Sequence, residues 1–353
     1  MENKKIRVGI THGDINGISY EIIIKTLMDS RILDLCTPVV YGSPKVGAYH
    51  RKALNVTNFS FHLIKSAEEA NPKRANIIDC LDENVRVELG KSTTQAGEAS
   101  LLALDRAVND VNEGLIDVLI TAPINKHNIQ SDKFNFRGHT EYLASNFDTE
   151  EVLMIMVSDI VKVGVVTDHI PLSDVPGAVT KNKIFDKLRI FNRSLIQDFA
   201  LRKPLIAVLG LNPHAGDTGL IGSEEIDVII PAIEQAREEG IMAIGPYPAD
   251  GFFGSENFTK FDAILAMYHD QGLAPFKALV FESGVNYTAG LPVVRTSPAH
   301  GTAYEIAGKN QACPDSFRKS LYLACDVFRN RRMYEELTAN QLAGNNDENE
   351  SGE

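Results

Sequence analysis

KIRVGITHGDINGISYEIIIKTLMDSRILDLCTPVVYGS, residues 5–43, decides the fold class. It begins with a short β-branched run, KIRVGIT (5–11), and turns through glycines into SYEIIIKTLMDS (19–30), whose apolar positions recur at helical spacing. It then returns to a strand-like PVVYGS (38–43). Strand, helix and strand in that order make a βαβ unit, and repeated units build an α/β protein around a largely parallel sheet.

The alternation continues outward. PKVGAYHRKALN (44–55) reads as a helix, and an amphipathic segment over about 94–113 leads into the strand DVLITAPINKH (117–127). HTEYLASNF (139–147) reads as a further helix. EVLMIMVSD (151–159) and KVGVVTDH (162–169) are two strands joined by a short polar turn, the pattern of a hairpin, and a domain change is placed here. Next come a helix over KIFDKLRIFNRSLIQDFAL (183–201), the strand LIAVLGLNPH (205–214) and a helix over 224–240. The strand AILAMYH (263–269) and a last helix, roughly 314–337, follow. This divides the chain into 1–144 plus 300–343 as a first α/β unit and 145–299 as a second, with an acidic tail, 344–353, expected to be disordered.

With 353 residues the chain can bury the cores of two ordinary domains. No apolar run approaches the ~20 residues of a membrane span, and the start lacks the long apolar region of a secretory signal, so a soluble cytoplasmic protein is expected. Cys36, Cys80, Cys313 and Cys325 form no CxxC pair, which fits a reducing compartment. A formal charge of −12 argues against a nucleic-acid partner.

Three histidines share one setting. His169, His214 and His269 each end an apolar run, and in open α/β sheets ligands gather outside strand ends. Neutral imidazoles suit zinc and other first-row cations, and three with an open position make a catalytic site. Asp168 and Asp270 stand beside two of them, as further ligands or as orienting carboxylates. A single histidine at a strand end is more often an ordinary hydrogen-bonded loop residue, and spacings of 45 and 55 residues match no compact metal motif. HAGDTGLIGSEE (214–225) and THGDING (11–17) are glycine-containing loops that suit either backbone amides turned to an anion or plain tight turns. Lys277, Asn286 and Arg295 stand in a polar-punctuated stretch, and the two cations are available to an anionic substrate.

Six motifs carry a resemblance. FRGHTEYLA (136–144), TDHIPL (167–172), GLNPHAGDTGLIGSEEIDVIIPAI (210–233), MYHDQGLAPFK (267–277), GVNYTAGLPVVRTS (284–297) and HGTAYEIAG (300–308) together resemble the 4-hydroxythreonine-4-phosphate dehydrogenase family of vitamin B6 biosynthesis. The match runs in order along nearly the whole chain except the tail. It implies two α/β/α domains, as in the isocitrate and isopropylmalate dehydrogenases, working as a homodimer with the active site in the interdomain cleft at the dimer interface. His169, His214 and His269 then match metal ligands, one of them supplied across the interface. His139, Thr140, Lys277, Asn286 and Arg295 match substrate-binding positions, and Lys277 and Asp270 are the candidates for the base.

The implied reaction is oxidation of 4-phosphooxy-L-threonine by NAD, or NADP, with one divalent ion per site: zinc first, magnesium or cobalt as alternatives. Loss of carbon dioxide follows. The dinucleotide fingerprint is absent, so no cofactor-binding residue is assigned and the cofactor rests on the resemblance alone. Two motifs depart from the family pattern. GDINGISYE (13–21) stands where GDPAGIGPE is usual, and Ala299 replaces the acid of DHGTA. Relatives that oxidise 4-phosphorylated threonate or erythronate share the motifs and remain an alternative. The histidines alone also suit a metal-dependent hydrolase, and a non-catalytic binding protein on the same fold is a third reading.

Overall fold

The computed structural model describes residues 5–82, 84–280 and 283–339, so the expected acidic tail lies outside the described residues. Its strands are β1 (Ile6–Thr11), β2 (Cys36–Gly42), β3 (His62–Ile64), β4 (Asn76–Asp79), β5 (Val118–Thr121), β6 (Leu153–Val157), β7 (Lys162–Thr167), β8 (Leu205–Leu209), β9 (Met242–Tyr247), β10 (Ala263–Tyr268), β11 (Val285–Ala289) and β12 (Val294–Pro298). They form one sheet in the order β3-β4-β2-β1-β5-β12-β11-β6-β7-β10-β8-β9. The α-helices are α1 (Ser19–Leu27), α2 (Arg31–Leu35), α3 (Pro44–Ala53), α4 (Thr94–Asn112), α5 (His139–Asn146), α6 (Val175–Ala178), α7 (Lys181–Gln197), α8 (Ile230–Glu238), α9 (Ala249–Phe253), α10 (His269–Leu279) and α11 (Asp315–Thr338).

The opening βαβ unit forms as its sequence requires. β1 runs parallel to β2, Ile6 beside Cys36, and to β5, Val8 beside Val118. Both faces are covered, which is why these strands are near-continuous apolar runs. The second wing is also parallel, β10 lying between β7 and β8. The expected hairpin is β6–β7, antiparallel with Ile155 beside Gly164. A Cβ on Gly164 would stand 2.9 Å from the Phe191 ring of α7, so only glycine lets the helix lie this close.

β11 and β12 depart most from the sequence reading, because they come from the stretch taken as polar and punctuated. They insert between β5 and β6. β12 is parallel to β5 with Arg295 beside Leu119, β11 is antiparallel to β12 with Asn286 beside Ser297, and β11 is antiparallel to β6 with Tyr287 beside Ile155. The period of two sends Val285, Tyr287, Ala289 and Val294 into the main core and Asn286, Arg295 and Ser297 to the opposite face.

α11 covers the core side of this hairpin. It buries Phe317, Leu321, Ala324 and Cys325, spaced for one helical face. Behind β11, Asp198 accepts from Tyr287 Oη at 2.6 Å, Ser194 Oγ at 2.6 Å and Arg331 Nε at 2.7 Å, tying α7, β11 and α11 together. Each buried polar group there has a partner, which is the condition for such a network to hold rather than destabilise.

The first-strand loop is a tight connection and not an open anion cradle. Asp14 accepts from Asn16 N at 2.8 Å, Asn128 Nδ2 at 2.9 Å and Tyr304 Oη at 2.7 Å, so its own chain fills it. His12 and His50 stack on either face of Tyr20, with ring centroids 5.5 and 5.2 Å away. Burial pushes both imidazole pKa values down to about 4. In the unfolded chain they return to the ordinary value near 6.5, so the unfolded state binds protons first as the pH falls. Stability present above pH ~6.5 is therefore lost towards pH 4, by about 3 kcal/mol per ring. The double variant His12→Gln/His50→Gln should show a flatter fall in thermal midpoint between pH 6.5 and 4. An equally steep acid limb would refute the assignment.

Candidate active site

One cavity gathers most of the polar residues singled out in the sequence. β12 contributes Arg295 and Ser297, β11 Asn286, β6 Met154 and Met156, and the end of β5 Thr121. α10 contributes His269, Leu273 and Lys277 at positions i, i+4 and i+8, one face of a helix. The first turn of α5 brings His139, Thr140 and Glu141, and the segments after β5 and β7 bring Lys126 and His169. The site thus lies where the sequence reading expects it, at the C-terminal ends of β5, β7, β10 and β12, and Arg295, Asn286, Met154 and Met156 extend it over the face of the central strands.

Arg295 dominates the electrostatics. It is 3% exposed, with Nε and one terminal nitrogen donating to Thr121 Oγ1 at 3.1 and 2.6 Å and the other to Thr288 Oγ1 at 3.1 Å. Burial lowers its pKa to about 10, which leaves it charged at neutral pH. Among the described residues no carboxylate forms an ion pair with it. A buried cation held only by neutral hydroxyls is costly unless an anion completes it. His139 is held neutral, its pKa well below the usual range through burial and then through the Arg295 and Lys126 charges. His139 Nε2, Glu141 Oε2, Asn286 Oδ1 and His300 Nε2 are buried at the cavity wall with no hydrogen-bond partner. Four such atoms around one cavity describe a seat for a polar ligand.

His169 and His269 face each other with ring centroids 5.6 Å apart. His269 Nδ1 lies 2.7 Å from Asp270 Oδ1, and His169 Nδ1 lies 4.0 Å from Glu141 Oε1 and 3.9 Å from Asp168 Oδ2. The carboxylate on His269 Nδ1 keeps the ring proton there and leaves Nε2 as the lone pair for a cation, whereas the carboxylates near His169 lie beyond hydrogen-bond distance. The donor set therefore fits a divalent metal. Glu141, Asp168 and His169 also have ligand atoms within 4.8 Å of one another.

His214 does not line this cavity. It lies five residues beyond β8, exposed, and opens a run from His214 to Thr218 in which every φ is positive, between 43° and 80°. Non-glycine residues resist this conformation by roughly 1–2 kcal/mol each, so the run needs anchoring. Buried Glu225 supplies it by accepting from Leu211 N and Asn212 N, both at 2.7 Å, and from Asn212 Nδ2 at 3.0 Å. The amides that meet this carboxylate precede the 214–225 loop, whose glutamate thereby ties it back to the end of the β8 segment.

Residues 34–324 match the family described as "Pyridoxal phosphate biosynthetic protein PdxA". The chain belongs to the PdxA family. It is 57% identical over 343 residues to the 4-hydroxythreonine-4-phosphate dehydrogenase of Bacteroides thetaiotaomicron, covering 97% of this chain and 94% of that one. To the protein of the same name from Aquifex aeolicus it is 42% identical, covering 92% and 98%. Among solved structures, 4-hydroxythreonine-4-phosphate dehydrogenase from Klebsiella pneumoniae superposes with a TM-score of 0.80 at 34% identity, covering 92% of this chain and 100% of that one.

Against this PdxA-family frame, sequence reasoning missed Lys126, Glu141, Ser297 and His300, all in the cavity wall. Glu141 was the easiest to find, since it follows His139 and Thr140 on the same helical turn. Asp270 does not line the cavity; it holds His269 from outside and is 84% exposed at its side chain. Ala299 does line it, its N–H donating to Ser316 Oγ at 3.0 Å.

Arg295→Met should fold normally, because a side chain of similar length replaces the guanidinium in its slot. Its affinity for inorganic phosphate should fall about tenfold or more with the loss of a charged donor. Calorimetric titration of phosphate into both proteins checks this, and equal affinities would mean that Arg295 does not receive the anion.

Proposed function

We propose that this chain oxidises 4-phosphooxy-L-threonine with NAD, or NADP, to 2-amino-3-oxo-4-phosphooxybutanoate, which loses carbon dioxide to give 3-amino-2-oxopropyl phosphate. It is an oxidoreductase acting on a CH–OH group, and its place is in pyridoxal 5'-phosphate biosynthesis. One observation carries the reading. A buried guanidinium with no ion-pair partner among the described residues opens onto the same cavity as two imidazoles, His269 and the Lys126-contacted His169, so a single small molecule can meet both an anion seat and a metal centre.

In this reading His169 and His269 hold the metal with His214 from a second copy of the chain. Neutral imidazoles favour zinc or cobalt over magnesium. When bound, the divalent cation supplies Lewis acidity that eases loss of the hydroxyl proton, and NAD supplies the hydride acceptor. The chain's own part is binding and proton handling. Arg295, Thr140 and the first turn of α5 receive substrate anions, with the free amides and positive dipole end of the helix adding to the guanidinium. His139, kept neutral, and Asn286 orient the substrate through their unpartnered atoms. Lys277, two turns along α10 from His269, is the candidate to take the hydroxyl proton, while Asp270 fixes the His269 tautomer. His300 Nε2, buried and unpartnered at the cavity edge, offers a hydrogen bond to a nicotinamide amide.

The homodimer belongs to the same proposal. His214 stands on a loop whose Leu220 and Ile226 are 80% and 47% exposed, near the end of the sheet where β9 exposes Met242 and Ile244. Apolar side chains in such a place favour burial against another copy. The division into 1–144 plus 300–343 and 145–299 is likewise proposed, supported by the reversal of strand direction across β12, β11, β6 and β7. No helix among the described residues is long and apolar enough to cross a membrane, and a cytoplasmic setting is part of the proposal. A phosphorylated threonate or erythronate is the second substrate reading. Ala299 favours it, because a methyl group in the cavity wall offers nothing to a substrate ammonium.

The deciding assay follows reduced nicotinamide with phosphohydroxythreonine and with phosphothreonate, each with and without chelator. Signal with the first substrate, abolished by chelator, is expected. Phosphate release without reduced nicotinamide would instead favour a hydrolase. His214→Ala and His269→Ala should each lose bound metal by elemental analysis while keeping the fold. Asp270→Asn should bind the metal about 10–100-fold more weakly, as expected when the carboxylate behind a ligating imidazole is removed. Unchanged metal content in the histidine variants would sink the ligand assignment.

A further inference from the structure

Lys126 makes a direct contact to the proposed metal site. Its Nζ lies 3.0 Å from His169 Nε2. An ammonium can only donate, so at this contact His169 Nε2 is the acceptor and carries one in-plane lone pair. That lone pair serves one partner at a time. An ammonium and a divalent cation on His169 are therefore mutually exclusive.

The displaced ammonium has somewhere to go. Glu141 Oε2 is buried and unpartnered, while Glu141 Oε1 faces His169 Nδ1. Gly138 lies against both residues: a Cβ built there would stand 3.5 Å from Lys126 Cε, 3.8 Å from Lys126 Nζ and 3.6 Å from Glu141 Oε2. The backbone at Gly138 is extended, with φ 173°, so any residue could adopt it. What the missing side chain provides is space between the lysine and the carboxylate.

We propose that Lys126 is a positioning residue whose ammonium alternates with the divalent cation on His169 Nε2, passing to Glu141 Oε2 when the cation binds. This rests on His169 being a metal ligand, as argued above. The exchange keeps a positive charge on His169 in both arrangements and gives Glu141 Oε2 its missing partner in the loaded one. Lys126 then stands in the cavity wall on the side of the substrate.

Zinc affinity, measured on full-length chelator-stripped protein by competition with a chromophoric chelator at fixed pH, tests the proposal. Lys126→Met should bind zinc about tenfold or more tightly, because the competing charged hydrogen bond is gone. Glu141→Gln should bind more weakly, and that penalty should shrink in the Lys126→Met background, since the carboxylate then has no ammonium to receive. An equal penalty in both backgrounds would mean that Glu141 acts only by orienting His169, and would overturn the exchange. So would unchanged or weaker zinc binding in Lys126→Met while His169→Ala loses it. Zinc binding that survives His169→Ala would remove the metal reading and this proposal together. A crystal structure of the zinc-loaded protein gives an independent readout: Lys126 Nζ should lie within hydrogen-bond distance of Glu141 Oε2. Its remaining on His169 would refute the exchange.

Discussion

A guanidinium sealed inside a twelve-stranded sheet, with two threonine hydroxyls for partners and, among the described residues, no carboxylate paired to it, sets the terms for this structure. Such a charge is tolerable only where rigid dipoles hold it and an anion can reach it. Both conditions fall on β12, which must be a central strand to be rigid and must border a cavity to be reached. Inserting the β11–β12 hairpin between β5 and β6 meets both. The insertion also forces the reversal of strand direction that brings the β5 segment and the β7 segment to one cavity. Core packing behind the hairpin, from α11 and the Asp198 network, gives the polar face its fixed position.

Carboxylates in this fold act mainly by fixing geometry. Asp14 closes the first loop, Asp198 locks α7 and α11 to β11, Glu225 anchors the left-handed run that carries His214, and Asp270 sets the tautomer of His269. Each accepts hydrogen bonds from donors that are otherwise hard to satisfy. The residues that face the ligand are instead imidazoles, amides and cations, with Glu141 the carboxylate among the lining residues, groups whose protonation or position can answer to what binds. The metal reading depends on this division of labour, since an imidazole with an unset tautomer is a poor ligand.

Much of this was legible in the sequence, and the misses share a cause. The opening βαβ unit, the β6–β7 hairpin and the long helices declared themselves through apolar period, which is the signature of burial. β11 and β12 did not, because a strand lining a functional cavity carries Asn286, Arg295 and Ser297 where a core strand carries valine, and glycine and proline at its turn complete the disguise. Motif resemblance recovered what period could not: His139, Thr140, Lys277, Asn286 and Arg295 do line one cavity. Of the three histidines expected at strand ends, His169 and His269 meet and His214 stands apart from their cavity. No spacing rule announces a left-handed run, since the buried Glu225 that anchors it comes later in the chain, after the run has ended.

The charge of the cavity runs against that of the molecule. The chain carries a formal charge of −12, yet Lys126, Lys277 and Arg295 line a cavity whose carboxylate among the lining residues is Glu141. An acidic exterior repels a phosphorylated acid at long range, although salt screens that field beyond about 8–10 Å at physiological ionic strength. Inside the cavity the local cations are little screened and prevail. A ligand that carries negative charge is therefore favoured in the cavity over a neutral alcohol, since Arg295 and Lys126 together outweigh Glu141. Selection among alcohols by total charge needs no contact with the reacting carbon, and it leaves the groups around that carbon free for proton transfer.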